Sequence, residues 1–306
     1  MGARWFRAAS LSAWQELVAK TIPANRRSSL WAVRSTIAAG IGCLAGACVF
    51  AVLTRYPGTT GYGILHLIVL AFLTASYVIF SRILETDLPA RPDRQTPTLL
   101  ANLRAVPSLV AGNRQFRRYA AAQAFSSGLI IVMPFMAVHG LGVLRKPDSF
   151  AGILLSAQMI GGVVGNAVAG LLGDRIGGRI VVLLSRMALC GLCVGMAFGS
   201  DLWHFLAAFA VLGVAMSFNN VGAATLALEV SPLQKRATYL SILSATGVVT
   251  TLSASGLGAA AWKYSSGRFG LAAALAAAAF AASVFFIWRV EEPRKKAVGE
   301  MIRPPV

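Results

Sequence analysis

Residues 170–179 read Gly170-Leu-Leu-Gly173-Asp174-Arg175-Ile-Gly177-Gly178-Arg179, which sets one carboxylate and two guanidinium groups in a short turn between two long apolar runs. The glycines permit a tight reversal and the close approach of other backbone. An acid held at a helix end can cap the positive N-terminus of a neighbouring helix, while the arginines can pair with carboxylates across an interface. The chemistry implied is that of a latch that opens or shuts as helices move. Arg186 follows about 10 Å further along, at about 1.5 Å per helical residue. Glu229 and Arg236 bracket a second turn, so a charge network of Asp174, Arg175, Arg179, Arg186, Glu229 and Arg236 is expected, with snorkelling of Arg186 to the headgroups as the alternative.

A second set of polar residues lies inside the apolar runs: Gln123, Ser126 and Ser127; Gln158 and Asn166; Asn219 and Asn220; Thr246, Thr250 and Thr251. Each costs free energy in hydrocarbon unless it faces a cavity or a partner. They are the candidates for a solute path, with interhelical hydrogen bonds as the plainer reading. The eleven acids all lie away from the centres of the runs, and His66, His139 and His204 fall near their outer ends. No acid inside the membrane is therefore available as a proton carrier, and neutral or amphipathic solutes suit this lining better than strongly cationic ones. There is no glycine-flanked nucleophilic serine, no Walker loop and no convergent His, Cys or acid cluster, so neither an enzyme, a metal site nor a cofactor is expected. Cys43, Cys48, Cys190 and Cys193 all sit inside apolar runs and read as packing residues.

The elements that carry these residues follow from composition. Mean hydropathy is +0.68, 57% of the 306 residues are hydrophobic and 13% are charged, more apolar surface than a soluble domain can hide. About 20 apolar residues cross a hydrocarbon core of roughly 30 Å. Eight segments meet that length, at 35–54, 61–80, 119–139, 150–172, 180–199, 202–226, 237–259 and 268–289. Without strand alternation they read as helices, so the fold class is an all-α polytopic membrane protein. Pro134 marks an expected kink in the third. Small residues at spacing four, Gly42 and Gly46, Gly161, Gly165 and Ala169, and Gly191, Gly195 and Gly199, predict faces of close helix contact.

The formal charge of +17 would suggest nucleic acid in a soluble protein, but its distribution argues otherwise. Assigned to alternate sides, 23 of the 28 Lys and Arg fall with the two termini and the turns near 81–117, 175 and 235. Arg55, Arg145, Lys146, Lys263 and Arg268 remain on the other side. That asymmetry places both termini and the Asp174 turn in the cytoplasm and assigns the basic charge to topology and anionic lipid, not nucleic acid. Residues 1–30 do not read as a cleavable leader, so the run at 35–54 is expected to serve as the insertion signal. A bacterial inner membrane is the expected location.

On these residues the chain resembles the major facilitator superfamily, whose most recognisable loop reads Gly-x-x-x-Asp-Arg-x-Gly-Arg-Arg or close to it. Gly170, Asp174, Arg175, Gly177 and Arg179 match; Gly178 replaces one of the paired basic residues. In that family the loop joins the second and third helices of each six-helix half and stabilises one side of an alternating-access cycle. A second resemblance is internal: Ile22-Pro23-Ala-Asn-Arg26-Arg27-Ser-Ser-Leu30 is similar to Ser231-Pro232-Leu-Gln-Lys235-Arg236-Ala-Thr-Tyr239, each just before an apolar run.

The resemblance implies a complete C-terminal six-helix half at 118–293, an inter-half linker at 81–117, a tail at 294–306, and at 1–80 only the last two helices of an N-terminal half. Residues 13–20 would then be the cytoplasmic end of a preceding helix. Within the linker, Leu99, Leu100, Leu103, Val106, Leu109 and Val110 predict an interfacial helix interrupted at Pro107. The function implied is secondary active transport of a small solute by alternating access, with the first, second, fourth and fifth helices of the half lining the cavity. A chain lacking four helices leaves a non-transporting remnant or assembly partner as the alternative, with self-association or missing N-terminal helices as the partners to look for. The exposed sides of the runs at 35–54 and 61–80, which pack without their usual partners, should be the least stable part.

Overall fold

The computed structural model describes residues 27–80, 107–232 and 235–291. The segments at 13–20 and 99–106, most of the 81–117 linker and the 294–306 tail lie outside the described residues. Helices dominate: α1 (Arg27–Arg55), α2 (Thr59–Phe80), α3 (Arg114–Phe125), α4 (Gly128–Leu144), α5 (Ala151–Ile176), α6 (Gly178–Ala197), α7 (Leu202–Val230), α8 (Arg236–Tyr264) and α9 (Phe269–Trp288). Taken with α3 and α4 as one span, eight segments are long and apolar enough to cross a membrane, matching the eight expected from sequence. α1 and α8, the helices that follow the two Pro-basic-basic motifs, are described over Arg27–Arg55 and Arg236–Tyr264.

Turn chemistry fixes the reversals. Gly58, Gly177 and Gly267 have φ of 75°, 91° and 78°, a region that side-chain-bearing residues rarely adopt. Between α5 and α6 a single residue, Gly177, is non-helical, so the two helices reverse around one glycine. Asn113 caps α3 by accepting from the Phe116 N–H at 3.0 Å, and Asp201 caps α7 by accepting from the His204 N–H at 2.9 Å. Residues 107–112, from Pro107 onward, are helical.

The third span breaks at Ser126–Ser127, whereas the sequence pointed to Pro134. α4 runs on through Pro134. The break arises where serine hydroxyls compete with the helical ladder: Ser126 Oγ donates to Gln123 O at 2.6 Å, and Ser127 Oγ donates to Thr250 Oγ1 on α8 at 2.8 Å.

Glycines set how closely the helices approach. A Cβ on Gly161 would lie 2.0 Å from Ala210 O, and one on Gly213 would lie 1.8 Å from Gln158 O, so α5 and α7 meet backbone to backbone. A Cβ on Gly46 would lie 2.3 Å from Ser156 Oγ, and one on Gly152 would lie 2.6 Å from Gly46 O, which seats α1 along α5 in the same way. The expected face on α6 is not one: Gly191 and Gly195 look onto open space, and only Gly199 meets neighbours, His204 and Phe205.

The apolar interior falls into three clusters. One gathers Met136, Leu154, Leu189, Met196, Phe205 and Phe280 toward one end of the bundle, and a second gathers Phe116, Tyr119, Leu226, Tyr239 and Ile287 at the end carrying the Gly177 turn. The third joins Trp31 and Ala32 of α1 to Ala169, Val181, Phe218 and Val221. α1 thus packs on the bundle along one face, while Ile37, Ile41 and Leu44 are more than half exposed, and α2 is barer still, with Leu67, Phe72 and Ile79 about two-thirds or more exposed. The outer face of α8, with Val248, Val249, Leu252 and Leu257, is similarly bare.

Candidate functional site

Helix α1 begins well before the apolar run that the sequence marks at 35–54, and this places Trp31, Arg34, Ser35 and Ala38 on one face at i, i+3, i+4 and i+7. That face, Tyr119 and Gln123 of α3, Asn219, Asn220, Ala223 and Ala227 of α7, and Leu240, Leu243 and Ser244 of α8 enclose a cavity of about 520 Å³. The volume is that of a small-molecule site, and the mixture of apolar walls with a few converging polar groups is the composition such sites have.

Three of the sequence candidates meet in this cavity: Gln123, Asn219 and Asn220. The others are placed elsewhere. Ser126 is bonded to its own helix at the α3–α4 break. Gln158 is buried between α5 and α7, where its amide donates to Met216 Sδ at 3.2 Å, and Asn166 is 2% exposed on the same helix. Thr246 Oγ1 donates to Ile242 O at 2.9 Å within α8. No residue of α5 lines the cavity, although the resemblance pointed to that helix as a wall; the glycine-mediated seams on its two sides consume it instead.

Arg186 is the organising residue behind the cavity. It is 1% exposed, so it does not snorkel, and it donates to Gln123 Oε1 and Asn219 Oδ1 at 2.8 Å each. Its Nε finds no hydrogen-bond partner among the described residues, and none of them pairs it with a carboxylate. A buried cation is costly in the membrane, and the two amides offset part of that cost while being oriented by it. Tyr119, whose hydroxyl donates to Ala223 O at 2.8 Å, lies in electrostatic range of both Arg186 and Glu229.

The turn residues separate into three contacts. Asp174 accepts a hydrogen bond from Ser29 Oγ in the first turn of α1, which is the acid-at-a-helix-N-terminus arrangement anticipated from sequence. Arg179 turns instead to α9 at the same end of the bundle: it donates to Ile287 O at 3.4 Å and Trp288 O at 2.8 Å, capping the C-terminal carbonyls of α9. Arg175 is exposed. Glu229 ends α7 and Arg236 begins α8, and each, like Asp174, makes further interactions. Of the six residues of the expected network, Arg186 is joined to amides and Arg179 to carbonyls. Gly170 is buried on α5, and Gly178 explains its own departure from the loop pattern: a Cβ there would lie 2.8 Å from Leu226 N and 3.0 Å from Gly222 O. No side chain fits between α6 and α7 at that point.

The remaining sequence candidates are structural. His139 Nε2 bonds Met196 O at 3.1 Å and stacks on Phe269, His204 Nε2 bonds Gly195 O at 3.0 Å, and His66 Nδ1 bonds Tyr62 O at 2.7 Å. Cys193 is in the apolar interior and Cys190 faces Ala277 O of α9. The cavity residues that sequence reasoning missed are Trp31, Arg34, Ser35 and Tyr119. Their i, i+3, i+4 spacing was readable, but Trp31 and Arg34 lie before the apolar run and were counted with the flanking charge.

The profile of the Major Facilitator Superfamily matches residues 119–303. Among characterised proteins, the chain is 30% identical over 131 residues to a D-xylose transporter of Levilactobacillus brevis, a stretch covering 40% of this chain and 28% of that one. It is 30% identical over 122 residues to the multidrug resistance protein MdtG of a Rahnella species, and 32% identical over 123 residues to MdtG of Erwinia billingiae; each match covers 39% of this chain and 29% of the relative. The fold matches a crystal structure of FucP, a transporter of the same superfamily, with a TM-score of 0.50 and 18% identity, over 76% of this chain and 54% of that one. The chain spans less than a third of the curated relatives it matches, and about half of that structure.

Proposed function

The chain belongs to the major facilitator superfamily and is an integral membrane protein, and on that premise we propose that it carries a small solute across the membrane as a secondary transporter working by alternating access. The observation that carries the reading is the cavity between α1, α3, α7 and α8, in which three polar residues from inside the membrane spans converge and two are held by one buried arginine. Membrane spans that bury polar groups around an accessible cavity, with no convergent nucleophile and base, suit solute passage better than catalysis. The Asp174–Ser29 contact ties the α5–α6 turn to the start of α1 and serves as the gating joint of that cycle.

The charge asymmetry supports a topology with the Asp174 turn and both termini on the cytoplasmic side of a bacterial inner membrane. The domain reading is a six-helix half at 118–293, joined by the 81–117 linker to the two helices before it. Counterflow of a panel of small solutes in proteoliposomes tests the proposal. Saturable flux of a solute is expected, and Asp174→Asn should cut that flux at least several-fold while membrane yield holds. Equal loss of flux and yield would reject the gating role. A correctly inserted chain that moves no solute faster than empty liposomes would favour a non-transporting member of the fold.

A further inference from the structure

The chemistry of the solute can be read from the hydrogen-bond arithmetic around Arg186, given the transport-site reading above on which this step rests. A guanidinium donates and never accepts. Because Arg186 donates to Gln123 Oε1 and to Asn219 Oδ1, both amides are obliged to turn their oxygens toward it. Their other ends are NH2 groups, for which no partner occurs among the described residues. Both residues line the cavity, and neither amide nitrogen is a buried orphan, so these donors open onto the cavity. A full positive charge directly behind them polarises each N–H outward.

Arg34 adds a third donor group. It lies in the second turn of α1, lines the cavity and stands 5.5 Å from the centroid of the Trp31 ring, with no carboxylate partner among the described residues. No acid lines the cavity among the described residues either. Glu229 is in electrostatic range of Tyr119 but is not among the lining residues. The remaining surface is apolar, from the Trp31 ring to Leu240 and Leu243. We infer that the cavity takes an amphipathic organic anion, its carboxylate, sulfonate or phosphate held by the Gln123 and Asn219 amide N–H groups and Arg34, with its apolar body against Trp31, Leu240 and Leu243. Anionic acceptors make the stronger, charge-assisted hydrogen bonds with such donors, whereas a cation would meet the Arg34 guanidinium, the Arg186 charge behind the amides and no carboxylate among the lining residues.

An anionic lipid headgroup presents the same chemistry as a soluble anion, and the test separates them. Equilibrium binding to the chain in phosphatidylcholine nanodiscs would compare three probes sharing one ring: naphthalene sulfonate, naphthalene sulfonamide and naphthyl trimethylammonium. The sulfonate should bind at least about tenfold more tightly than either other probe, a difference of about 1.4 kcal/mol. Arg34→Gln should weaken the sulfonate far more than the sulfonamide and so remove most of that advantage, and Arg34→Lys should keep a good part of it. Equal affinities, or preference for the cation, would overturn the anion assignment while leaving a working binding cavity. Binding of none of the probes would overturn both this inference and the transport-site reading. Loss of sulfonate binding when phosphatidylglycerol is added to the discs would reassign the cavity to a lipid headgroup and overturn the soluble solute.

Discussion

At the residue scale, Arg186 shows how one side chain can set the polarity of a site it does not itself line. Sequence alone left it between snorkelling to the headgroups and joining an ion network, because both need only a cation near a helix end. What decides is the pair of amides on α3 and α7 facing it, from positions 63 and 33 residues away in the chain. Both bonds leave one nitrogen, Nη2, so Arg186→Met, which removes that donor, deprives both amide oxygens of their charged partner. Arg186→Met should therefore lose two charge-assisted hydrogen bonds, about 1.5–3 kcal/mol each, seen as a lower unfolding midpoint in denaturing detergent; an unchanged midpoint would contradict the bridging role. Gln123, Asn219 and Asn220 were legible as polar groups that must face a cavity or a partner, and in the structure Gln123 and Asn219 do both. Gln158 and Asn166 looked equivalent in sequence but are enclosed by a glycine seam whose pairing no single helix reveals.

The α5–α6 turn and the α1–α5 seam are the elements on which the proposed movement depends. Their glycines were visible in the sequence, and the turn was assigned correctly because a φ of 91° at Gly177 demands glycine where two membrane helices reverse around one residue. Gly177→Ala should cost about 1–3 kcal/mol through backbone strain and lower the yield of folded protein, measured as the monodisperse fraction in mild detergent. Gly46→Leu should force α1 away from Ser156 and the Gly152 carbonyl, an overpacking cost of about 1–3 kcal/mol, and weaken cross-linking between cysteines placed at Ser29 and Asp174. Cross-linking as efficient as in the parent would show that α1 does not seat through this seam. The α6 glycines at 191 and 195 follow the same spacing and meet nothing. Spacing identifies a small face, but only the neighbouring helix decides whether it is used.

For the whole molecule, hydropathy and charge asymmetry gave the span count. The break in the third span was not legible, since Pro134 is the stronger breaker in isolation and the serines act only through their contacts with Gln123 and Thr250. Nor was the integration of α1, which depends on backbone approach to a helix more than a hundred residues away. The bare faces of α2 and α8 should be the first to exchange amide hydrogens, ahead of α6 and α7. The central claim is that the cavity around Asn220 is reached alternately from the two sides of the membrane. Labelling by a membrane-impermeant maleimide tests it directly, with Asn220→Cys as the reporter, Arg175→Cys and Lys146→Cys as markers of the two sides, and the four native cysteines replaced by alanine. The account predicts that Arg175→Cys reacts only in inverted vesicles, Lys146→Cys only in right-side-out vesicles, and Asn220→Cys in both; reaction of Asn220→Cys from one side alone, or of Arg175→Cys from the exterior, would contradict it.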